Sequence, residues 1–461
     1  MPILARVAPP SPAPMPDAAA PLALSALDAA LRDATGDVRA VRRVEADAPP
    51  VDALAWLAGQ TAGPAVAWQS RGDATTCAAV GAALTVESND LAGLALPDLP
   101  PDARLYGAAR FAPTAPVGPE WAAFGRVRFV LPRVELRSDG HTARLAVHLA
   151  PGETADDVRA DLATLRDAAP SAPWSAPALR SRTDAPDRTG WTHALCEALT
   201  AIAHGALGKV VLARRSERLL SAPVDPLALL ARLAAATPRC FHALVQPVPG
   251  GPAFVSATPE RLFRLSGRRV ETEAVAGTRP RDERDAADDR LLADLLGSEK
   301  DQREHRFVVD AVARRLAPLS THFHADAEAQ AMTLSRGRHL LTPIEATLRP
   351  GVGALDVLRA LHPTPAVGGT PRRAAEAAIA ILEPFDRGLY AGLVGWIGRD
   401  ADGAEAAELA VGIRSALVDG PRVALYSGAG IVAGSEPDAE WDEIEHKTGD
   451  LLRALGLGDG G

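Results

Sequence analysis

The chain is poor in cysteine: Cys77, Cys196 and Cys240 are its three. Thiols so few and so scattered support neither a disulfide framework nor a zinc site, and they suit a reducing, cytoplasmic setting. Long apolar runs are missing too. No stretch reaches the roughly 18 consecutive apolar residues of a membrane span. Positive charge is not in surplus: 49 Lys and Arg face 58 Asp and Glu, a formal net charge of −9. No general attraction to nucleic acid or to an anionic membrane follows, so an anionic ligand needs cations gathered locally. A dinucleotide fingerprint is also absent. SGAGIVAGS at 427–435 follows a strand-like segment, but its spacing to Gly434 does not fit that pattern. No internal repeat is visible.

What is present is a globular composition, 47% hydrophobic and 23% charged, over 461 residues. That length allows two or three domains, or one large one with an extension. Residues 1–20 are Ala/Pro-rich, and Pro9, Pro10, Pro12, Pro14 and Pro16 break any signal-peptide core, which predicts a flexible tail. Residues 21–170 begin with helical spacing over 22–34 and continue as short strands punctuated by Gly, Pro and Asp, ending in the amphipathic TADDVRADLATLRDAA. Residues 171–189 are Pro/Ser-rich and predict a linker. Residues 190–461 alternate helices with hairpins, including the strand KVVLARRSERL and helices near 298–316 and 437–456. The mixed-sign run from Arg279 to Arg290 predicts a solvated stretch. Strands joined by hairpins and helices, without strict βαβ alternation, predict an antiparallel α+β fold.

Two segments concentrate acids. GSEKDQREH places Asp301 and Glu304 three residues apart, and EWDEIEHK does the same with Glu440 and Glu443. Residues i and i+3 share a helix face. If the two faces meet, four carboxylates converge and call for a cation. Mg²⁺ is suited to that, since it takes one or two protein carboxylates and completes its octahedron with water and substrate oxygens. The plainer alternative for each pair is a solvated face. Asp301 has a structural explanation in the S-x-x-D capping pattern from Ser298, whereas Glu304 shares its face with Val308 and Ala311 and points where the helix is apolar.

Lys209 heads an apolar strand, where desolvation can turn a lysine into a general base; a snorkelling strand-end lysine is the alternative. Glu260 sits at the bend of SATPERL, where a carboxyl can face a cavity and stay protonated as a general acid, or simply be a turn residue. Backbone N–H groups of the 427–435 loop can cradle an anion, and Arg414 in VGIRS can clamp a carboxylate or lie on an edge strand.

Taken in order, KVVLAR, SATPERLF, AVAGTRPR, SEKDQREH, LHPTPAVGGTP, EPFDRGLYAGLVGW, IRSA and SGAGIVAGSEPDAEWDEIEHK resemble the chorismate-utilising enzymes across about 190–461. Within that family the likeness is greatest to isochorismate synthases, because anthranilate synthases typically carry Gln where Lys209 stands. The resemblance implies two antiparallel sheets packed face to face with helices outside, joined by most of the 21–170 strands. It implies that Lys209 activates water for attack on ring carbon 2 of chorismate and that Glu260 protonates the hydroxyl leaving carbon 4. It implies Mg²⁺ held directly by Glu304 and Glu443, with Asp301 and Glu440 supporting through water. Arg414, the Gly428–Gly430 backbone and Lys447 would neutralise substrate carboxylates, with Gly277 and Thr278 lining the pocket. Lys447 is also i+4 from Glu443, so an intrahelical ion pair is its plainer role. The segments PAVAWQSRGD, VGAA and FVLPRVELR resemble menaquinone-type members, which implies that pathway, with siderophore supply or a salicylate synthase as alternatives. A monomer without an amidotransferase subunit is expected.

Overall fold

The computed structural model describes residues 24–33, 39–168, 174–281, 284–334 and 337–458. The segment 1–20, expected as a tail, lies outside them. Among the described residues twenty strands form one hydrogen-bonded network, and every pairing in it is antiparallel. The expected α+β architecture is present, with one addition. The two layers are not separate sheets. The strand Val127–Ser138 belongs to both: its first half pairs with Arg104–Ala109 and its second half with Ala143–Leu149, while Thr76–Ser88 runs along its whole length.

One layer continues from Thr76–Ser88 through Ala65–Gln69, Phe241–Gln246, Ala253–Thr258, Ser415–Asp419 and Arg422–Ile431 to Lys209–Leu220. The other continues from Arg104–Ala109 through Leu393–Arg399, Glu405–Val411, Arg261–Ser266 and Arg269–Pro280 to Gly337–Leu348. Period-2 alternation divides the core. Ala243 and Phe254 point into the cluster between the layers, whereas their neighbours Leu244 and Val255 point into a second cluster beneath helices that include Pro226–Ala236. Alternation this regular fixes register, because a one-residue slip would exchange the two faces.

The expected linker is not one throughout. Residues 174–178 are irregular, but Leu179–Ala185 is a strand paired with Lys209–Leu220. Its sequence, LRSRTDA, shows only weak alternation, because it is an edge strand with one paired side. The run read as solvated between Arg279 and Arg290 exposes Arg281, Arg284, Asp289 and Arg290 and buries Asp288, and it is structured. Arg279 lies in the strand Arg269–Pro280, and Asp285–Gly297 is a helix whose charges hid its buried Leu295.

Candidate active site

The site is built where the two layers and the two acidic helices meet. Ser298 caps the first helix, Glu299–Leu316, by accepting a hydrogen bond from the Asp301 amide at 3.2 Å. The second, Pro437–Leu455, starts on proline and ends at Gly456 in the left-handed conformation, the usual N-terminal and C-terminal punctuation. Between them lies a cavity. Its walls carry Glu260, Gly277, Thr278, Glu304, Arg414, Gly428, Gly430, Glu443 and Lys447, nine of the twelve residues singled out from sequence.

The other three stand behind that wall. Lys209 is fully buried, and its Nζ lies 2.9 Å from Glu304 Oε1. Gly430 makes this approach possible. A β-carbon there would collide with the Glu304 carboxylate and sit 3.0 Å from the Lys209 Cε. Asp301 turns away from the cavity to Arg279, at 2.8 Å, and Glu440 turns to Lys300, at 2.6 Å. Of the four acids, Glu304 and Glu443, the pair expected to touch the metal directly, line the cavity, and Asp301 and Glu440 do not. Residues i and i+3 are about 60° apart around a helix, enough for the two acids of each pair to find different partners. Among the described residues no group of three or more His, Cys, Asp or Glu side chains is close enough to hold a metal ion. Two cavity-facing carboxylates still match what Mg²⁺ asks of a protein.

Glu304 and Glu443 each have their own cation. Glu443 meets Lys447 at 2.5 Å, and although burial pushes its carboxyl upward, the Lys447 ammonium outweighs that and holds it below the usual range. Lys447 also donates to the Gly428 carbonyl at 2.9 Å. Glu440 moves the other way: burial and the Glu443 charge raise it.

Glu260 differs from all of these. It is 5% exposed and its carboxyl touches no cation at ion-pair distance among the described residues. Burial, reinforced by the nearby Glu273 carboxylate, lifts its pKa to about 8 against the weaker pull of Lys209, Lys447 and Arg71. Glu273 is itself gripped by Arg71, at 2.9 and 2.6 Å, and Arg71 also holds the Pro259 carbonyl at the bend. The bend that aims Glu260 is thus pinned from outside the cavity.

Arg414 is not on a strand. It lies in the bend between Glu405–Val411 and Ser415–Asp419 with φ +49°, in the left-handed region that non-glycine residues seldom adopt. Its Nη1 donates to the Lys447 carbonyl at 3.0 Å. Gly277, φ +71°, sits at a register shift where a β-carbon would press on Asp301 at 3.1 Å.

Among the cavity residues that escaped the sequence reading is a histidine. His339 pairs across the strands with Thr278, and its Nδ1 lies 3.0 Å from the Gly277 carbonyl and 3.1 Å from Thr278 Oγ1. Burial pushes its pKa down to about 3, with Arg414 and Lys447 adding to the effect. The ring is therefore neutral. A proton on Nδ1 serves the Gly277 carbonyl and leaves Nε2, which has no hydrogen-bond partner among the described residues, as an acceptor. Only strand register could have found it, since 62 residues separate it from Gly277.

A family model described as chorismate binding enzyme matches residues 98–456. Isochorismate synthase MenF of Escherichia coli (strain K12) is 34% identical over 414 residues, covering 88% of this chain and 90% of that protein. The chloroplastic isochorismate synthase of Catharanthus roseus is 36% identical over 372 residues, 77% of this chain and 62% of its own. The chain thus spans less than two thirds of the length of its plant relatives. The solved structure of MenF, the menaquinone-specific isochorismate synthase from Escherichia coli, superposes with a TM-score of 0.82 at 32% identity, over 94% of this chain and 99% of that one.

Proposed function

Because the chain belongs to the family of chorismate-binding enzymes, we propose that it is an isochorismate synthase, a Mg²⁺-dependent isomerase that turns chorismate into isochorismate. The observation that carries this reading is the pairing around one cavity of a fully buried lysine with a glutamic acid whose pKa is raised to about 8. Water addition at ring carbon 2 with departure of the carbon 4 hydroxyl needs that opposed pair: a base for the incoming water and an acid for the leaving group. Glu260 is protonated at neutral pH and can give its proton to the departing hydroxyl. Lys209, buried beside Glu304, would be the base that takes a proton from water as the new C–O bond forms. The ring double bonds shift as the carbon 4–oxygen bond breaks. One water enters and one leaves, so the product is an isomer.

Glu304 and Glu443 would hold Mg²⁺, which when bound supplies a positive charge for the ring carboxylate. Arg414 and Lys447 add charge on the same side, and the left-handed bend at Arg414 holds its guanidinium ready without rearrangement. Neutral His339 offers Nε2 to a substrate hydroxyl. A role in menaquinone supply is supported by a likeness to MenF that runs through most of both chains.

The test is incubation with chorismate and Mg²⁺, products separated chromatographically and pyruvate followed by coupled lactate dehydrogenase. Isochorismate without pyruvate is expected. Stoichiometric pyruvate with salicylate would make the protein a salicylate synthase, and ammonium-dependent anthranilate would place it with the ammonia users.

A further inference from the structure

Three glutamates in the cavity wall or just behind it are matched by three lysines: Glu304 by Lys209, Glu443 by Lys447 and Glu440 by Lys300. Lys209 is enclosed, and Lys447 is tied to the Gly428 carbonyl as well. Lys300 is different. Its side chain is 35% exposed, and among the described residues its ammonium meets no carboxylate other than Glu440 at ion-pair distance. Glu440 is 2% exposed and receives that ammonium from the opposite helix, so the contact ties the two acidic helices together. The field of Lys300 extends past Glu440: Glu443 and Glu304 also act on it.

We propose that Lys300 is a displaceable counter-cation for Glu440 and Glu443, that it latches the two acidic helices when no divalent ion is bound, and that it sets how much Mg²⁺ the protein needs. This rests on the magnesium reading above. A buried carboxylate needs a positive partner, and a lysine on a flexible four-carbon stem gives one that can swing out to water. While it stays, its charge repels a divalent ion at the adjacent pair. Removing a unit charge a few ångströms from a divalent ion, even at the dielectric of water, strengthens that ion's binding by about tenfold or more.

The experiment titrates MgCl₂ calorimetrically into wild type, Lys300→Met and Lys300→Arg without chorismate, and follows thermal unfolding with and without Mg²⁺. Lys300→Met is expected to bind Mg²⁺ about tenfold more tightly, to melt lower than wild type without Mg²⁺, and to regain that loss with it. Lys300→Arg should titrate like wild type. If Lys300→Met does not fold, Lys300→Gln, which keeps a donor to Glu440 without the charge, is titrated in its place. Affinity in the uncharged variant equal to or weaker than wild type overturns the proposal and makes Lys300 a support for Glu440. No Mg²⁺ binding by wild type overturns the magnesium reading itself, and the proposal falls with it.

Discussion

Two glutamates are buried in this molecule with opposite results. Glu135, in the strand shared by both layers, is fully enclosed. It is wrapped by Arg43 at 2.8 Å, Arg137 at 2.5 Å and the Tyr106 hydroxyl at 2.6 Å. Burial alone would raise its pKa, but the Arg137 and Arg43 charges overcome that and drive it well below the usual range. Glu260, in the cavity, is nearly as buried and has no such escort, and it rises to about 8. The difference is in the partners, not the depth. A carboxylate given cations is part of the scaffold, and one denied them is a proton donor at neutral pH.

The largest effect should come from deleting the unescorted acid. Glu260→Gln should lower turnover by about 10²–10⁴-fold, in both directions of the reaction, while unfolding shows no loss of stability. Turnover within a few-fold of wild type would remove Glu260 from the chemistry. Lys209→Ala should fall in the same range with substrate binding largely kept. Glu135→Gln should do the reverse. Taking the carboxylate from its arginines leaves buried charge uncompensated and should destabilise by about 3–5 kcal/mol in denaturant unfolding, with per-molecule activity of the folded fraction near normal. A stable Glu135→Gln variant would end the comparison.

The metal acids should divide in the same way. Glu304→Gln and Glu443→Gln, which face the cavity, should raise the half-saturating Mg²⁺ concentration sharply. Asp301→Asn, which loses an ion pair with Arg279 outside the cavity, should move it much less and lower stability instead. Equal shifts for all three would restore the four-acid arrangement. The smallest effect is on the pH dependence of stability. Glu260 is raised, so its contribution is fully present below about 4.5 and is lost as pH climbs through about 8. Glu135 is lowered, so its contribution is present above about 4.5 and is lost as pH falls. Each limb is worth at most about 1.4 kcal/mol per pH unit. Glu260→Gln should flatten the alkaline limb and leave the acid limb, which unfolding at a series of pH values checks.

Much of this was legible in the sequence wherever the signal is local. The capping serine, each pair of i,i+3 acids, the apolar face shared by Glu304, Val308 and Ala311, and the bend at Pro259 are each a pattern within a few residues, and of what they pointed to, Glu304, Glu443 and Glu260 line the cavity. What was not legible is pairing over distance. Arg279 reaches Asp301 from a strand and Lys300 reaches Glu440 from another helix, 140 residues away. Neither partner can be read from helix periodicity. His339 was hidden for the same reason. The strand Leu179–Ala185 was hidden because an edge strand with one bonded side needs no hydrophobic alternation.

The strand shared by both layers also decides where this protein can be cut. Sequence places a boundary near residue 190, but hydrogen bonding places none there. Excising everything before it would strip Ala65–Gln69 from Phe241–Gln246 and Arg104–Ala109 from Leu393–Arg399. Each layer would be left with a raw, largely apolar border of unpaired amides and carbonyls, the kind of surface that recruits another copy of itself. The portion that carries every candidate catalytic residue is therefore not a portable module. A truncated form should collect as aggregate, and a split form should be soluble only when both pieces are made together.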